Sequence, residues 1–203
     1  MLTYIYGIVF PSDEIAELCQ QHNIDLCEDA AEAYLGNNYS GNKQATISMF
    51  SFGQIKRCTA FAGSICFVRD PMLYEKMNQI NESYPTQDTQ AYFKRILKFS
   101  VPFVALNNRA ANFIICEAFK MLHLDVKEAI ISRLRGFPST SNYLNKFEVK
   151  PCTANISFLL HRLTNFDMTE YNEKISKLKK AVEFFECKKL LCPGYKCKER
   201  GFW

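Results

Sequence analysis

A lysine and two carboxylates follow short apolar stretches in the first third of the chain. Glu28 and Asp29 close the stretch IDLCED, and Ser51 lies near the end of TISMFSF, with Lys56 a few residues further on. The carboxyl ends of neighbouring parallel strands meet at one sheet edge, where ligands bind. An exposed lysine is protonated at neutral pH, whereas a lysine withdrawn from water can act as a nucleophilic amine. These residues therefore predict either amine chemistry in one cavity or an ordinary salt bridge.

Short apolar segments alternate with one amphipathic segment and polar loops in the region that would hold these residues. Their composition predicts strands over residues 2–10, 24–29, 46–52 and 64–70, a helix capped by Ser12 that ends near residue 23, and a helix from Pro71 to about Asn81. The gap between the last two strands is too short for a crossover helix, so this pair is expected to be antiparallel. The fold class predicted is α/β, with a mixed, mostly parallel sheet.

After Tyr84 the sequence changes from short strand-like segments to apolar residues at helical spacing. A polar break, YPTQDTQ, precedes residues 91–135, which are predicted to form one or more helices, and GFPSTSN (136–142) is predicted to be a loop. Apolar residues at helical spacing predict a further helix over about 167–186, capped near Asp167 or Thr169. The second half of the chain is thus expected to be mainly helical.

Composition excludes several classes of protein. The net charge of +4 is mild and spread along the chain, which does not favour nucleic-acid binding, and no stretch resembles a signal peptide or membrane span. Nine scattered cysteines fit buried free thiols in a reducing cytoplasm. Cys187, Cys192 and Cys197 are spaced too widely for a typical zinc site, so no metal is expected.

Other reactive residues near these motifs have simpler explanations. Cys58 is expected to be a packed thiol and Arg57 a structural or surface residue. The three histidines, His22, His123 and His161, are isolated from any matching acid and are expected to be structural.

Four sequence motifs, in order and at matched spacing, resemble those of one protein family. EDAAEAYLG (28–36), YSGNK (39–43), SFGQIK (51–56) and AGSICFV (62–68), preceded by the YG of residues 6–7, are similar to the DegT/DnrJ/EryC1/StrS aminotransferases. These belong to fold type I of the pyridoxal-phosphate enzymes. The resemblance spans roughly residues 4–69, and Ala62-Gly63 stands where the family commonly has two glycines.

The resemblance implies a role for four residues. Lys56 matches the lysine that joins covalently to the aldehyde of pyridoxal 5'-phosphate and carries protons during the reaction. Asp29 matches the acid that binds the pyridine nitrogen, Ser51 matches a hydroxyl that contacts the phosphate, and Glu32 occupies the position beside the ring oxygen. The cofactor supplies the electron-accepting ring, and the protein orients it.

The same resemblance implies an aminotransferase that moves an amino group from a small-molecule donor to a keto acceptor, often a nucleotide-linked keto sugar in this family. It also implies a homodimer for the complete protein, with residues 1–90 as part of the large domain and 91–203 as a helical region and incomplete small domain. Because the chain starts and stops in apparent strands, it is expected to be a fragment. The alternative is an inactive remnant that serves as a binding or structural protein.

Overall fold

The computed structural model of the protein describes residues 1–36, 38–121, 148–187 and 199–200. The chain divides into two compact units, one of residues 1–78 with 157–203 and the other of residues 79–156. The strands are β1 (Leu2–Thr3), β2 (Ile8–Val9), β3 (Cys27–Asp29), β4 (Ile47–Ser51), β5 (Ser64–Val68) and β6 (Glu199–Arg200). The helices are α1 (Asp13–Gln21), α2 (Pro71–Ser83), α3 (Thr89–Asn107), α4 (Arg109–Met121), α5 (Thr153–Thr164) and α6 (Met168–Cys187).

The main sheet has the strand order β1-β3-β4-β5. The first three strands are parallel, with Asp29 of β3 opposite Met49 of β4. Strand β5 runs antiparallel to β4 and sets Cys66 opposite Met49. The predicted α/β class, with a mixed and mostly parallel sheet, is confirmed.

The predicted single strand over residues 2–10 is wrong. Strand β1 ends at Thr3, a short 3-10 turn covers Ile5–Gly7, and β2 pairs instead with β6 in a separate two-stranded sheet. The physical reason is the backbone at Tyr6 and Gly7, whose φ angles are +58° and +65°. A strand needs φ well below zero, so two consecutive left-handed residues break it.

The core of the first unit lies against one face of the sheet. Its buried members are contributed by the first strands, the segment after β3, the end of β4 and the turn that follows: Tyr4, Val9, Ala30, Ala33, Phe50, Phe52, Cys58 and Ala60. Partly buried side chains of α5 and the residues after it pack against this cluster, namely Phe158, Leu159, Leu163 and Phe166. A smaller cluster of Ala16, Leu26 and Ala45 joins α1 to the sheet.

In the second unit, α3 and α4 supply the predicted helices after the polar break, while residues 122–135 and the predicted loop 136–142 lie outside the described residues.

Helix α6 matches the predicted helix, and Asp167 Oδ1 accepts a hydrogen bond from the Thr169 amide at 2.7 Å, as a cap does. Helix α5 has no counterpart in the prediction. None of the described helices is long and apolar enough to cross a bilayer.

Candidate active site

The carboxyl ends of β3 and β4 lie side by side and carry two of the predicted site residues. Successive side chains of a strand face opposite sides of the sheet. Glu28 and Ser48 are opposite each other and share the buried face, so Asp29, Met49 and Ser51 share the other face. That face is more open, since Met49 is 36% exposed. Asp29 and Ser51 therefore reach the same side of the sheet at adjacent strand ends.

The Asp29 carboxylate is held by its own turn. Its Oδ1 accepts a hydrogen bond from the Ala31 amide at 3.1 Å, while the backbone of the next residue, Ala30, donates to the Met49 carbonyl at 2.9 Å. Asp29 Oδ2 has no hydrogen-bond partner among the described residues. One oxygen is thus used to fix the side chain, and the other is available to a ligand.

The lysine turn, residues 53–63, is closed by backbone hydrogen bonds. The Lys56 amide donates to the Gly53 carbonyl at 3.0 Å, and the Phe52 amide donates to the Gly63 carbonyl at 3.0 Å. The Thr59 hydroxyl donates to the same Gly53 carbonyl at 2.8 Å. Gly63 has φ +92°, a conformation that strains other residues, which explains the glycine of the AGSICFV phrase.

The lysine side chain meets a carboxylate from the EDAAE segment. Lys56 Nζ lies 3.9 Å from Glu32 Oε1, and the two side chains are only 15% and 28% exposed. Glu32 Oε2 accepts a hydrogen bond from the Tyr6 amide at 2.8 Å. The structure therefore brings Lys56 and Glu32 together, whereas neither Asp29 nor Ser51 forms an ion pair or hydrogen bond with Lys56 among the described residues.

Helix α5 and the residues after it support the lysine turn from outside the motif region. The Arg57 guanidinium lies 5.3 Å from the centre of the Phe166 ring, a cation–π contact. Phe61 stacks on Phe158, with ring centres 6.1 Å apart. These contacts are consistent with the structural role expected for Arg57. They involve Phe158 and Phe166, which the sequence analysis missed because it assigned no helix there.

Cys58 is a packed thiol, as predicted. It is buried, and its Sγ lies 3.7 Å from the Arg162 carbonyl oxygen. Burial raises the pKa of this thiol, and the nearby Arg162 and Arg57 offset only part of that effect. Since the thiolate is the nucleophilic form, Cys58 is poorly suited to covalent chemistry at neutral pH.

A buried polar network lies beneath the open strand ends. Glu28 is 2% exposed, and its carboxylate accepts hydrogen bonds from the Tyr4 and Ser48 hydroxyls, each at 2.5 Å, and from the Asn42 amide at 2.8 Å. Burial and the hydrogen bond to Glu28 raise the pKa of Tyr4 to about 12. The network anchors the strand residue that directly precedes Asp29, and sequence reasoning did not assign it this role.

Arg69 and Ser12 extend the network to the neighbouring segments. Arg69 Nη1 donates a hydrogen bond to the Ser48 hydroxyl at 3.0 Å, and that hydroxyl donates in turn to Glu28, so the three side chains form one hydrogen-bonded chain. The prediction that the Ser12 side chain caps α1 is wrong. Its hydroxyl instead accepts a hydrogen bond from Asn42 Nδ2 at 2.9 Å and lies 3.2 Å from the Tyr4 hydroxyl, because these buried polar groups compete for it.

The histidines and the cysteine cluster of the sequence analysis are only partly described by the structure. His22 and His161 are exposed, and His123, Cys192 and Cys197 lie outside the described residues. In the described part of the chain, no three His, Cys, Asp or Glu side chains gather as metal ligands would.

Comparison with known proteins identifies relatives. The model of the DegT/DnrJ/EryC1/StrS aminotransferase family matches residues 1–113. GDP-perosamine synthase of Escherichia coli O157:H7 is 29% identical over 138 residues, which are 66% of this chain and 35% of that protein. GDP-perosamine synthase of Caulobacter vibrioides is 30% identical over 115 residues, 55% of this chain and 29% of that protein. The chain thus spans about a third of the length of these relatives.

Among solved structures, the aminotransferase TlmJ from Streptoalloteichus hindustanus matches with 24% identity and a TM-score of 0.36. The match covers 42% of this chain and 24% of that one.

Proposed function

Because the chain belongs to the DegT/DnrJ/EryC1/StrS aminotransferase family, we propose that it acts as a pyridoxal-phosphate-dependent aminotransferase. The observation that carries the proposal is the partly buried Lys56, held by Glu32 beside the carboxyl ends of two parallel strands. Such an edge is where α/β sheets bind ligands. A lysine in a solvated loop is not expected to lie beside a carboxylate such as Glu32, which is itself fixed by the Tyr6 backbone amide.

The residues present fit pyridoxal 5'-phosphate. The cofactor needs an amine for its aldehyde, an anion for its ring nitrogen and donors for its phosphate. Lys56 offers the amine, and Asp29 keeps one carboxylate oxygen free of described partners. Ser51 lies on the same sheet face as Asp29 and offers a hydroxyl. We assign Lys56, Asp29, Glu32 and Ser51 as the cofactor-binding residues.

When bound, the cofactor supplies a ring that accepts the electrons left on the substrate carbon as a proton departs. Lys56 is the group that takes and returns that proton at Nζ, since an amine is a competent base once deprotonated. The negative charge of Asp29 favours a protonated ring nitrogen, because opposite charges stabilise each other in a partly buried site. Glu32 holds Lys56 in place before the cofactor enters.

The substrates proposed are an amino-acid donor and a nucleotide-linked keto sugar. The names of the two relatives support the sugar, since both are GDP-perosamine synthases. We further propose a cytoplasmic homodimer for the complete protein. The division into a cofactor-binding large domain over residues 1–90 and a partial small domain over residues 91–203 stays part of this proposal.

The decisive experiment is borohydride reduction of the chain after incubation with pyridoxal 5'-phosphate, followed by peptide mass spectrometry. We expect the cofactor to be fixed on Lys56, and Lys56→Ala to abolish this modification. Lys43→Ala is the matched control, because Lys43 is an exposed lysine of the polar loop. A folded chain that acquires no modification at Lys56 would instead favour the non-catalytic alternative.

A further inference from the structure

The Tyr6–Gly7 turn is strained, and it lies beside the candidate active site. Tyr6 has φ +58° and ψ +24°, within the left-handed region that few residues other than glycine, asparagine and aspartate occupy. A turn selected only for its shape would favour one of those residues. Strain of this kind persists where the surroundings enforce it, which is often at functional sites.

Glu32 enforces the conformation and connects it to the lysine. One carboxylate oxygen accepts the Tyr6 amide at 2.8 Å, and the other lies 3.9 Å from Lys56 Nζ. The Glu32 carboxylate alone therefore separates the Tyr6 amide from the Lys56 amine. A molecule that reacts at Lys56 thus binds near the Tyr6 backbone.

The Tyr6 ring is 69% exposed, whereas the Tyr4 ring, two residues earlier, is 1% exposed. No hydrogen bond or ring contact holds the Tyr6 side chain among the residues that the structure describes. Tyr6 thus combines a strained backbone conformation with a large aromatic side chain that is not buried. Burial in the core explains neither feature.

We propose that Tyr6 is a substrate contact, which packs its ring against the hexose of a nucleotide-linked sugar bound at Lys56. This inference rests on the proposed function for the identity of the ligand. A tyrosine ring offers an apolar face to the C–H groups of a pyranose and a hydroxyl to its polar edge. Ligand sites in general combine such aromatic walls with a few fixed polar groups.

The test measures binding of an unreactive probe, a GDP-linked hexose without a keto group, by equilibrium dialysis against the full chain. Tyr6→Asn removes the ring but retains a residue that tolerates positive φ and an amide for Glu32. We expect Tyr6→Asn to weaken binding about three- to tenfold, the usual scale of one aromatic contact. Tyr6→Phe should keep most of the affinity.

Tyr74→Asn is the matched control, since Tyr74 is an exposed tyrosine of α2 and is 48% exposed. We expect it to bind the probe as the unmodified chain does. Equal affinity of Tyr6→Asn and the unmodified chain, or no binding to the unmodified chain, overturns the inference. Borohydride fixation of pyridoxal 5'-phosphate on Lys56 is measured separately, so a failure of the proposed function is distinguished from a failure of the Tyr6 contact.

Discussion

Tyr4→Phe tests the buried network that supports the strand end before Asp29. The substitution keeps a ring that is 1% exposed in the same place and removes only the hydroxyl that donates to Glu28 at 2.5 Å. A hydrogen bond to a charged group contributes about 1.5–3 kcal/mol. Because Glu28 keeps its donors from Ser48 and Asn42, we expect the free energy of unfolding to fall by about 2 kcal/mol. For a chain of this length, that corresponds to a Tm lower by about 4–8 °C.

The assay is urea unfolding at pH 7 with linear extrapolation, and Tyr74→Phe is its control. Tyr74 is exposed, and its hydroxyl has no hydrogen bond among the described residues, so the control should change stability by less than about 0.5 kcal/mol. A double-mutant cycle with Glu28→Gln then isolates the pair. If Tyr4→Phe costs as much in the Glu28→Gln background as alone, the hydroxyl does not act through Glu28 and the reasoning is refuted.

Two further predictions follow from the same region. Gly41 has φ +86°, and an added Cβ would overlap Ser48 Oγ and lie 2.5 Å from Glu28 Oε2, so Gly41→Ala should cost about 3–5 kcal/mol in urea unfolding. Gly53→Ala, whose Cβ would meet nothing nearer than 3.8 Å, should cost less than about 1 kcal/mol, and equal costs would contradict this explanation. Burial raises the pKa of Tyr4 and of Tyr34 from 10.0 to about 12, so the unfolded chain loses these protons first. The contribution of these two tyrosines to stability should therefore be full below pH 10 and be lost between pH 10 and 12, and Tyr34→Phe should flatten the fall in that range in a pH series of unfolding curves.

The sheet was predictable because its signals are local. Strands β4 and β5 are short runs rich in apolar residues, and β3 closes the short segment IDLCED, so none of the three segments is long enough for a helix. The chain between β4 and β5 leaves no room for a crossover, so their antiparallel pairing follows from length alone. The placement of Glu32 near Lys56 follows in the same way, since each residue comes soon after one of two adjacent parallel strands.

The first ten residues show where local signals fail. Isoleucine, tyrosine and valine favour extended backbone over the whole stretch. Tyr6 nevertheless takes a left-handed conformation, because its amide is bound by a Glu32 carboxylate far along the chain. Ser12 is similar, since Asn42 and Tyr4 engage the hydroxyl that local rules assign to capping. In both cases a tertiary partner overrides a local preference.

Helix α5 and the residues after it contact the lysine turn from outside the motifs. The family match ends at residue 113, yet Phe158 and Phe166 contact the lysine turn from beyond it, through Phe61 and Arg57. A reactive side chain acts well only when surrounding residues fix the element that bears it. The phrases that resemble the family supply the amine and the carboxylates, whereas α5 and the residues after it supply part of the support. Motif residues alone therefore do not determine the geometry of Lys56, and substitutions in α5 can disturb its chemistry without touching a motif.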